Sequence, residues 1–162
     1  MIKTLVKFVE NLLQRLKGVK FTKSITSTKM PIPLEEDKIQ LKYFDLSEFD
    51  SPDEPGSGEK YMNVSFLEKL DYARHNLDGK MIFKINSAYR SEKHNLKCGG
   101  RWGSAHRYGL AADIAYNGSR ELYWLVTALL QVGIKRIGIS KKGRFVHCDV
   151  SKLKDPDVIW LY

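Results

Sequence analysis

Residues 104–113 read SAHRYGLAAD, and this stretch decides the fold around it. His106 and Asp113 are separated by Gly109 and a run of small residues. A tight turn at Gly109 can deliver the aspartate onto a following strand, which we predict over residues 112–116. The spacing therefore predicts that the side chains of His106 and Asp113 meet at one point.

A second informative stretch, FVHCD, occupies residues 145–149. In an extended chain successive side chains point to opposite faces. His147 and Asp149 then share one face, while Val146 and Cys148 lie on the other face and point into the core. The pattern places a second histidine and a second aspartate beside the first pair.

These side chains form a candidate ligand set for one Zn²⁺ ion. Zinc in a hydrolase takes three protein ligands from His, Asp, Glu or Cys and keeps an open position for water. His106, Asp113 and His147 supply such a set. For any one of them taken alone, a hydrogen-bonded structural role is the favoured interpretation, so the metal hypothesis depends on the three together.

The order of the motifs resembles a known family. The pattern Ser-x-His-x-x-Gly-x-Ala-x-Asp is followed by a strand that carries His, and upstream lie SAYRSEKHN at residues 87–95 and Gly-Gly at residues 99–100. Over residues 43–162 the chain resembles the zinc D-alanyl-D-alanine carboxypeptidases, a family that includes phage endolysins and is similar to the hedgehog signalling domain. The resemblance implies an α+β fold, with a small antiparallel sheet flanked by helices. It also implies a zinc metallopeptidase that cuts peptidoglycan stem peptides next to D-alanine, as a carboxypeptidase or an endopeptidase.

Three further segments resemble a narrower group, the small peptidases of single-stranded DNA microviruses. They are FDSP at residues 49–52, PGSG at residues 55–58 and DVIWLY at residues 157–162. This narrower resemblance implies a role in phage lysis or in penetration of the cell wall at infection.

The family resemblance also suggests substrate contacts. Arg90 resembles the active-site arginine, whose guanidinium can bind a substrate carboxylate or stabilise an oxyanion; the alternative is a surface salt bridge. Ser104 stands two residues before the first ligand, where the family has a serine, and is expected to support the site by a hydrogen bond. His94 is expected either to contact substrate or to stabilise its own loop.

The general base is where the sequence departs from the family. Many members have an acidic residue three positions before the last zinc ligand, but here that residue is Arg144. Asp149 shares the strand face of His147 and is our candidate to accept the proton of the attacking water. The alternative makes Asp149 a hydrogen-bond partner of a ligand or a capping carboxylate, and the sequence leaves both open.

The chain divides into three predicted parts. Residues 1–18 form a basic amphipathic helix, residues 19–42 a linker rich in polar residues and residues 43–162 the catalytic domain. Residues 1–30 contain seven Lys or Arg and one Glu, and they therefore account for most of the net charge of +8. This segment is expected to contact an anionic membrane or cell-wall polymer, or to pack on the domain or on a second copy. Nucleic acid is not the expected partner.

Within the domain, hydrophobic periodicity predicts helices over residues 64–77, capped at Ser65, and over residues 120–132. Strands are predicted over residues 80–87, in a hairpin at residues 136–140 and 144–150, and at the terminus. A loop is expected at residues 95–105. Two cysteines do not make a disulfide framework, so both are expected to be reduced.

The expected location follows from what the N-terminal segment lacks. It contains no apolar run long enough to span a membrane, and charged residues interrupt the apolar positions that a secretory signal would need. We expect synthesis in the host cytoplasm and action at the bacterial cell wall. Two other function classes stay open: a non-catalytic, zinc-containing module that binds cell wall or a partner, and an adaptor that acts through its basic N-terminus.

Overall fold

The computed structural model describes residues 39–162, and the predicted N-terminal helix over residues 1–18 and the linker up to residue 38 lie outside them. The helices are α1 (Ser57–Tyr61), α2 (Val64–Asn76), α3 (Glu92–Lys97) and α4 (Gly118–Gln131), with 3₁₀ helices at Leu46–Phe49 and Ala105–Tyr108. The strands are β1 (Lys84–Ser87), β2 (Ala111–Ala115), β3 (Arg136–Ser140), β4 (Phe145–Asp149) and β5 (Val158–Leu161). The predicted α+β class is confirmed.

In the described part of the chain the five strands form one sheet in the order β1-β2-β4-β3-β5. Three of the pairings are antiparallel, as predicted, but β5 pairs with β3 in parallel. The connection after β4 carries the chain back to the beginning of β3, where Val158 N–H donates to the carbonyl of Lys135 at 3.1 Å. The sheet is therefore mostly, not wholly, antiparallel.

The two central strands carry the predicted site. The predicted hairpin of β3 and β4 is confirmed, and β4 also pairs with β2, so that Asp113 of β2 lies opposite His147 of β4. Val146 and Cys148 are fully buried on the core side of β4, as the alternation predicts. Burial raises the pKa of the Cys148 thiol, so this thiol stays protonated and acts as a small apolar side chain.

Two helices cover the core face of the sheet. Helix α2 buries Phe66, Leu67, Leu70 and Ala73, and α4 buries Leu125, Ala128 and Leu129 against it. Ile39 and Leu41, at the beginning of the described chain, also pack against this core. Burying these apolar side chains supplies the main driving force that holds the helices on the sheet.

Several local predictions were wrong in detail. Helix α2 is capped by Asn63, whose side chain accepts from Phe66 N–H at 3.0 Å, and not by Ser65. The first predicted strand begins only at Lys84, and α3 occupies part of the predicted loop at residues 95–105. Ser91 caps α3 by accepting from His94 N–H at 3.0 Å, a signal that is present in the sequence. No helix of the described residues is long and apolar enough to cross a membrane.

Candidate metal centre

His106 is held by the 3₁₀ helix that precedes β2. This helix ends at Gly109, which has a left-handed backbone with φ of 64°, and Gly109 N–H donates to the His106 carbonyl at 3.2 Å. Leu110 then leads directly into β2. The predicted tight turn is therefore present, and it brings His106 back over the strand that carries Asp113.

The three predicted ligands meet at one point. His147 Nδ1 lies 2.9 Å from Asp113 Oδ1 and 3.2 Å from His106 Nε2. His106 Nε2 lies 3.3 Å from the same Asp113 oxygen. Two ligands at zinc bond lengths and a tetrahedral angle would be separated by about 3.4 Å, so the three atoms already have nearly the spacing that zinc requires.

Hydrogen bonds to the outer nitrogens leave the inner ones available to a metal. His106 Nδ1–H donates to the Ala88 carbonyl at 2.6 Å, and His147 Nε2–H donates to Asp149 Oδ2 at 3.1 Å. Each imidazole then presents an unprotonated nitrogen to the centre, which is the arrangement typical of metal-binding histidines. The two rings thus use different atoms, Nε2 of His106 and Nδ1 of His147.

The electrostatics of the group suit a divalent cation. All three side chains are buried. Burial opposes ionisation of Asp113, but hydrogen bonds with His106 and His147 outweigh it and hold the pKa of that carboxyl well below its usual range. Burial also lowers the pKa of His106, so its ring is neutral and free to coordinate. For His147 burial lowers the pKa, but hydrogen bonds with the carboxylates of Asp113 and Asp149 outweigh burial and raise it.

Arg90 lies at the outer side of Asp113. Its Nη2 donates to Asp113 Oδ2 at 2.5 Å, and its Nε donates to Ser87 Oγ at 2.7 Å. Asp113 therefore turns Oδ1 towards the histidines and Oδ2 towards the guanidinium. This contact fixes the orientation of the carboxylate ligand.

Asp149 is joined to His147 and to an arginine that the sequence analysis did not single out. Asp149 Oδ1 accepts from Arg136 Nε at 2.9 Å and from Ser151 N–H at 3.0 Å, while Oδ2 accepts from His147. Arg136 also donates to the backbone carbonyl of Asp155. The register of the β3–β4 hairpin could have indicated this contact, because it places Arg136 opposite Asp149.

A cleft of about 900 Å³ opens over the three predicted ligands. Arg90, Ser104 and Asp149 line it, as does an aromatic wall that the site prediction missed, formed by Phe145, Trp160 and Tyr162. Gly138 gives Trp160 room, since a Cβ there would lie 2.5 Å from the indole. The Trp160 ring is 5.6 Å from that of His147, so β5 contributes directly to the surroundings of the site.

His94 lies apart from the other predicted site residues. It is on α3, and its Nε2 is 3.4 Å from the Sγ of Cys98. Cys98 lines the cleft, whereas His94 is not among the lining residues. The two alternatives for His94 therefore stay predictions.

The donor set of two imidazole nitrogens and one carboxylate oxygen fits zinc. The sequence model of the Peptidase M15 family matches residues 41–149, which is most of the chain. The chain belongs to the M15 peptidase family. Peptidases of this family depend on zinc, so this M15 peptidase is a metallopeptidase with one predicted zinc centre, and its family implies peptidoglycan as the substrate. No curated protein sequence matches this M15 peptidase.

The match to the family ends at Asp149, before β5. It includes every predicted ligand as well as Arg90, Ser104 and His94. Trp160 and Tyr162 lie beyond it, so the aromatic wall of this M15 peptidase comes partly from outside the matched region.

Proposed function

We propose that this M15 peptidase hydrolyses amide bonds next to D-alanine in the stem peptides of peptidoglycan, as a carboxypeptidase or an endopeptidase. The observation that carries the proposal is the convergence of His106 Nε2, Asp113 Oδ1 and His147 Nδ1, within 2.9–3.3 Å of one another, at the floor of an open cleft. In a cluster held together only by hydrogen bonds, acceptors face donors. Here two imidazole lone pairs and a carboxylate oxygen face the same point, which is the arrangement that a metal ion requires.

These three atoms would hold zinc, which would supply a Lewis acid to polarise the scissile carbonyl and to make water a better nucleophile near neutral pH. The chain's own groups provide the orientation. Arg90 holds Asp113, and its hydrogen bonds within the described residues use Nε and Nη2. Its remaining Nη1 can donate to a substrate carboxylate or to the developing oxyanion, and both would be charge-assisted contacts.

We also propose that Asp149 orients His147. Its two carboxylate oxygens accept three hydrogen bonds, and its side chain is fully buried. These contacts support the alternative in which Asp149 is a partner of a ligand. Its role as the proton-transfer group stays a prediction, because a carboxylate that is saturated in this way has to release a donor before it accepts a proton.

The decisive experiment is digestion of purified peptidoglycan by the zinc-loaded chain, with the products identified by mass. We expect new peptide fragments from the wild-type chain and none from His106→Ala. A second substitution, Arg90→Gln, should lower turnover per bound zinc, and the zinc content is measured alongside because Arg90 also holds Asp113. If the well-folded, zinc-loaded wild-type chain released no fragments, the peptidase proposal would be wrong.

One observation favours a second candidate, a non-catalytic zinc-containing module that binds cell wall or a partner. Among the described residues the carboxylates that line the cleft are Asp113 and Asp149, and both are already engaged. Retention of the protein on peptidoglycan without any release of fragments would support this module in place of the enzyme.

We further propose a place of action, which rests on the microvirus-like segments and on the basic residues 1–30. The chain would be made in the host cytoplasm and would act at the cell wall in phage lysis or infection. Residues 1–30 would hold it to an anionic membrane or wall polymer. Deleting residues 1–30 should then abolish binding to anionic vesicles or to whole cell walls while hydrolysis of soluble stem peptides continues.

A further inference from the structure

A second depression, here called the basic groove, lies beside the metal cleft. It has a volume of about 430 Å³, and its cationic lining residues are Lys69, Lys135, Arg136, Lys152 and Lys154. Lys69 comes from α2 and its ammonium points towards Gly133, at the end of α4. The other cations come from β3, from the residue before it and from the connection between β4 and β5. Three separate parts of the fold therefore bring positive charge to one place.

Only part of this charge is neutralised by the protein. Lys135 pairs with Asp157 at 3.1 Å, and Arg136 pairs with Asp149 at 2.9 Å. Among the described residues no acidic side chain forms an ion pair with Lys69, Lys152 or Lys154. A concave surface with unpaired cations concentrates anions, and the low dielectric of its walls strengthens the attraction.

The basic groove adjoins the metal cleft. Arg136, Asp149 and Lys154 line both depressions. Asp149 is in turn hydrogen-bonded to the metal ligand His147. Because Lys154 lines both depressions, a chain-like molecule with one bond at the metal centre has the groove within reach along the surface.

We propose that the basic groove binds free carboxylates of the same acidic stem peptide whose amide bond lies at the metal centre. The inference rests on the proposed function and adds a second contact region to it. The three lining residues that the groove shares with the cleft favour a part of the substrate over a separate polymer. The volume fits a short peptide segment, being within the range of small-ligand sites.

The groove residues should act on substrate affinity more than on the chemical step. Lys69 and Lys152 lie outside the metal cleft, so they contact the substrate equally in the ground state and in the transition state. Uniform binding of this kind lowers KM without raising kcat. Solvent-exposed ion pairs are weak singly, and two or three acting together predict a change in KM of about three- to tenfold.

The test compares two soluble stem peptides, one with free side carboxylates and one in which these are amidated, on the full-length zinc-loaded chain. The groove variant is Lys69→Gln with Lys152→Gln. Its matched control is Lys80→Gln with Lys84→Gln, two exposed lysines that line neither depression. We expect amidation to raise KM about three- to tenfold in the wild-type chain and in the control. In the groove variant the KM of the acidic peptide should rise to that of the amidated peptide, whose own KM should stay unchanged, and kcat should be kept.

Equal KM values for the two peptides in the wild-type chain would overturn the inference. A groove variant that raised the KM of both peptides by the same factor would overturn it as well. Absence of turnover with either peptide would count against the proposed function instead. Binding of the fluorescently labelled peptides to the zinc-loaded chain then tests the groove by itself, and a preference for the acidic peptide that Lys69→Gln with Lys152→Gln removes would support it. If a glycerol-phosphate polymer bound through these lysines while the peptides showed no preference, the groove would belong to a wall polymer and the inference would be wrong.

Discussion

At the scale of single residues, the site depends on which nitrogen each histidine presents. Ala88 fixes His106 through a backbone carbonyl, and Asp149 fixes His147 through a carboxylate. The second contact is open to mutation, because it comes from a side chain. Asp149 therefore offers the sharpest test of how the ligands are oriented.

We predict that Asp149→Asn weakens zinc binding by about 10- to 100-fold, as is typical when a partner of a metal ligand is changed. The carboxylate oxygens face donors on both sides, from Arg136 and Ser151 at Oδ1 and from His147 at Oδ2. An amide group has to turn its NH₂ towards one of these donors. Competition with a chromogenic chelator measures the affinity.

The control for this prediction is Asp155→Asn, which changes an exposed aspartate in the connection after β4. Its zinc affinity should equal that of the wild-type chain. Unchanged affinity in Asp149→Asn combined with lost turnover would contradict the orienting role and would restore Asp149 as the proton-transfer group.

The sequence was sufficient to predict that the three candidate ligands converge, but not what surrounds them. His106, Asp113 and His147 stand in motifs whose spacing and strand alternation fix where they point. Arg136 stands in no motif, and its contact with Asp149 arises only when β3 pairs with β4. Trp160 reaches His147 because β5 lies along β3, which the sequence alone did not indicate.

At the scale of elements, the turn between the 3₁₀ helix and β2 is the critical connection. Gly109 has φ of 64°, and a Cβ there would lie 2.0 Å from the Tyr61 carbonyl oxygen. Asn63 N–H also donates to the Gly109 carbonyl at 3.0 Å. The turn is thus packed against the junction of α1 and α2.

We predict that Gly109→Ala lowers the free energy of unfolding by about 2 kcal/mol or more, because it adds a backbone clash to an unfavourable φ. Gly56→Ala is the matched control, since Gly56 has φ of 81° but a Cβ there would meet no described atom within 4 Å. Gly56→Ala should therefore lose only the free energy that a positive φ costs a residue with a Cβ, without the clash. Urea denaturation of both variants measures the difference, and equal losses would show that the close approach to Tyr61 is unimportant.

The predicted elements differ from the observed ones mainly at their ends. The hydrophobic stripes of α2 and α4 were visible, because burial follows the helical period. The parallel pairing of β5 was not, since it depends on the path of the connection after β4 and not on any periodicity within the strand.

At the scale of the whole molecule, residues 39–162 contain the hydrophobic core and the metal centre. The family match begins at residue 41, and Ile39 and Leu41 pack against the core. By their mutual contacts, residues 38–162 also form one compact unit. This part of the chain has what an independently folding domain requires.

We therefore predict that a chain beginning at residue 38 folds on its own and that zinc raises its melting temperature as much as that of the full chain. A ligand that binds only the folded state stabilises it in proportion to the logarithm of its concentration over Kd. Thermal unfolding with zinc and with a chelator measures the two shifts. An unfolded truncated protein, or one that zinc does not stabilise, would place an essential part of the domain within residues 1–37.

The most direct test of the account is the position of zinc in crystals of the metal-loaded chain, located by anomalous scattering at the zinc edge. We predict one ion, bound about 2.0–2.2 Å from His106 Nε2, His147 Nδ1 and Asp113 Oδ1, with Asp149 still hydrogen-bonded to His147 Nε2. Zinc bound elsewhere, for example at His94 and Cys98, or no bound zinc in a folded chain, would contradict the metal centre on which the proposed peptidase activity rests.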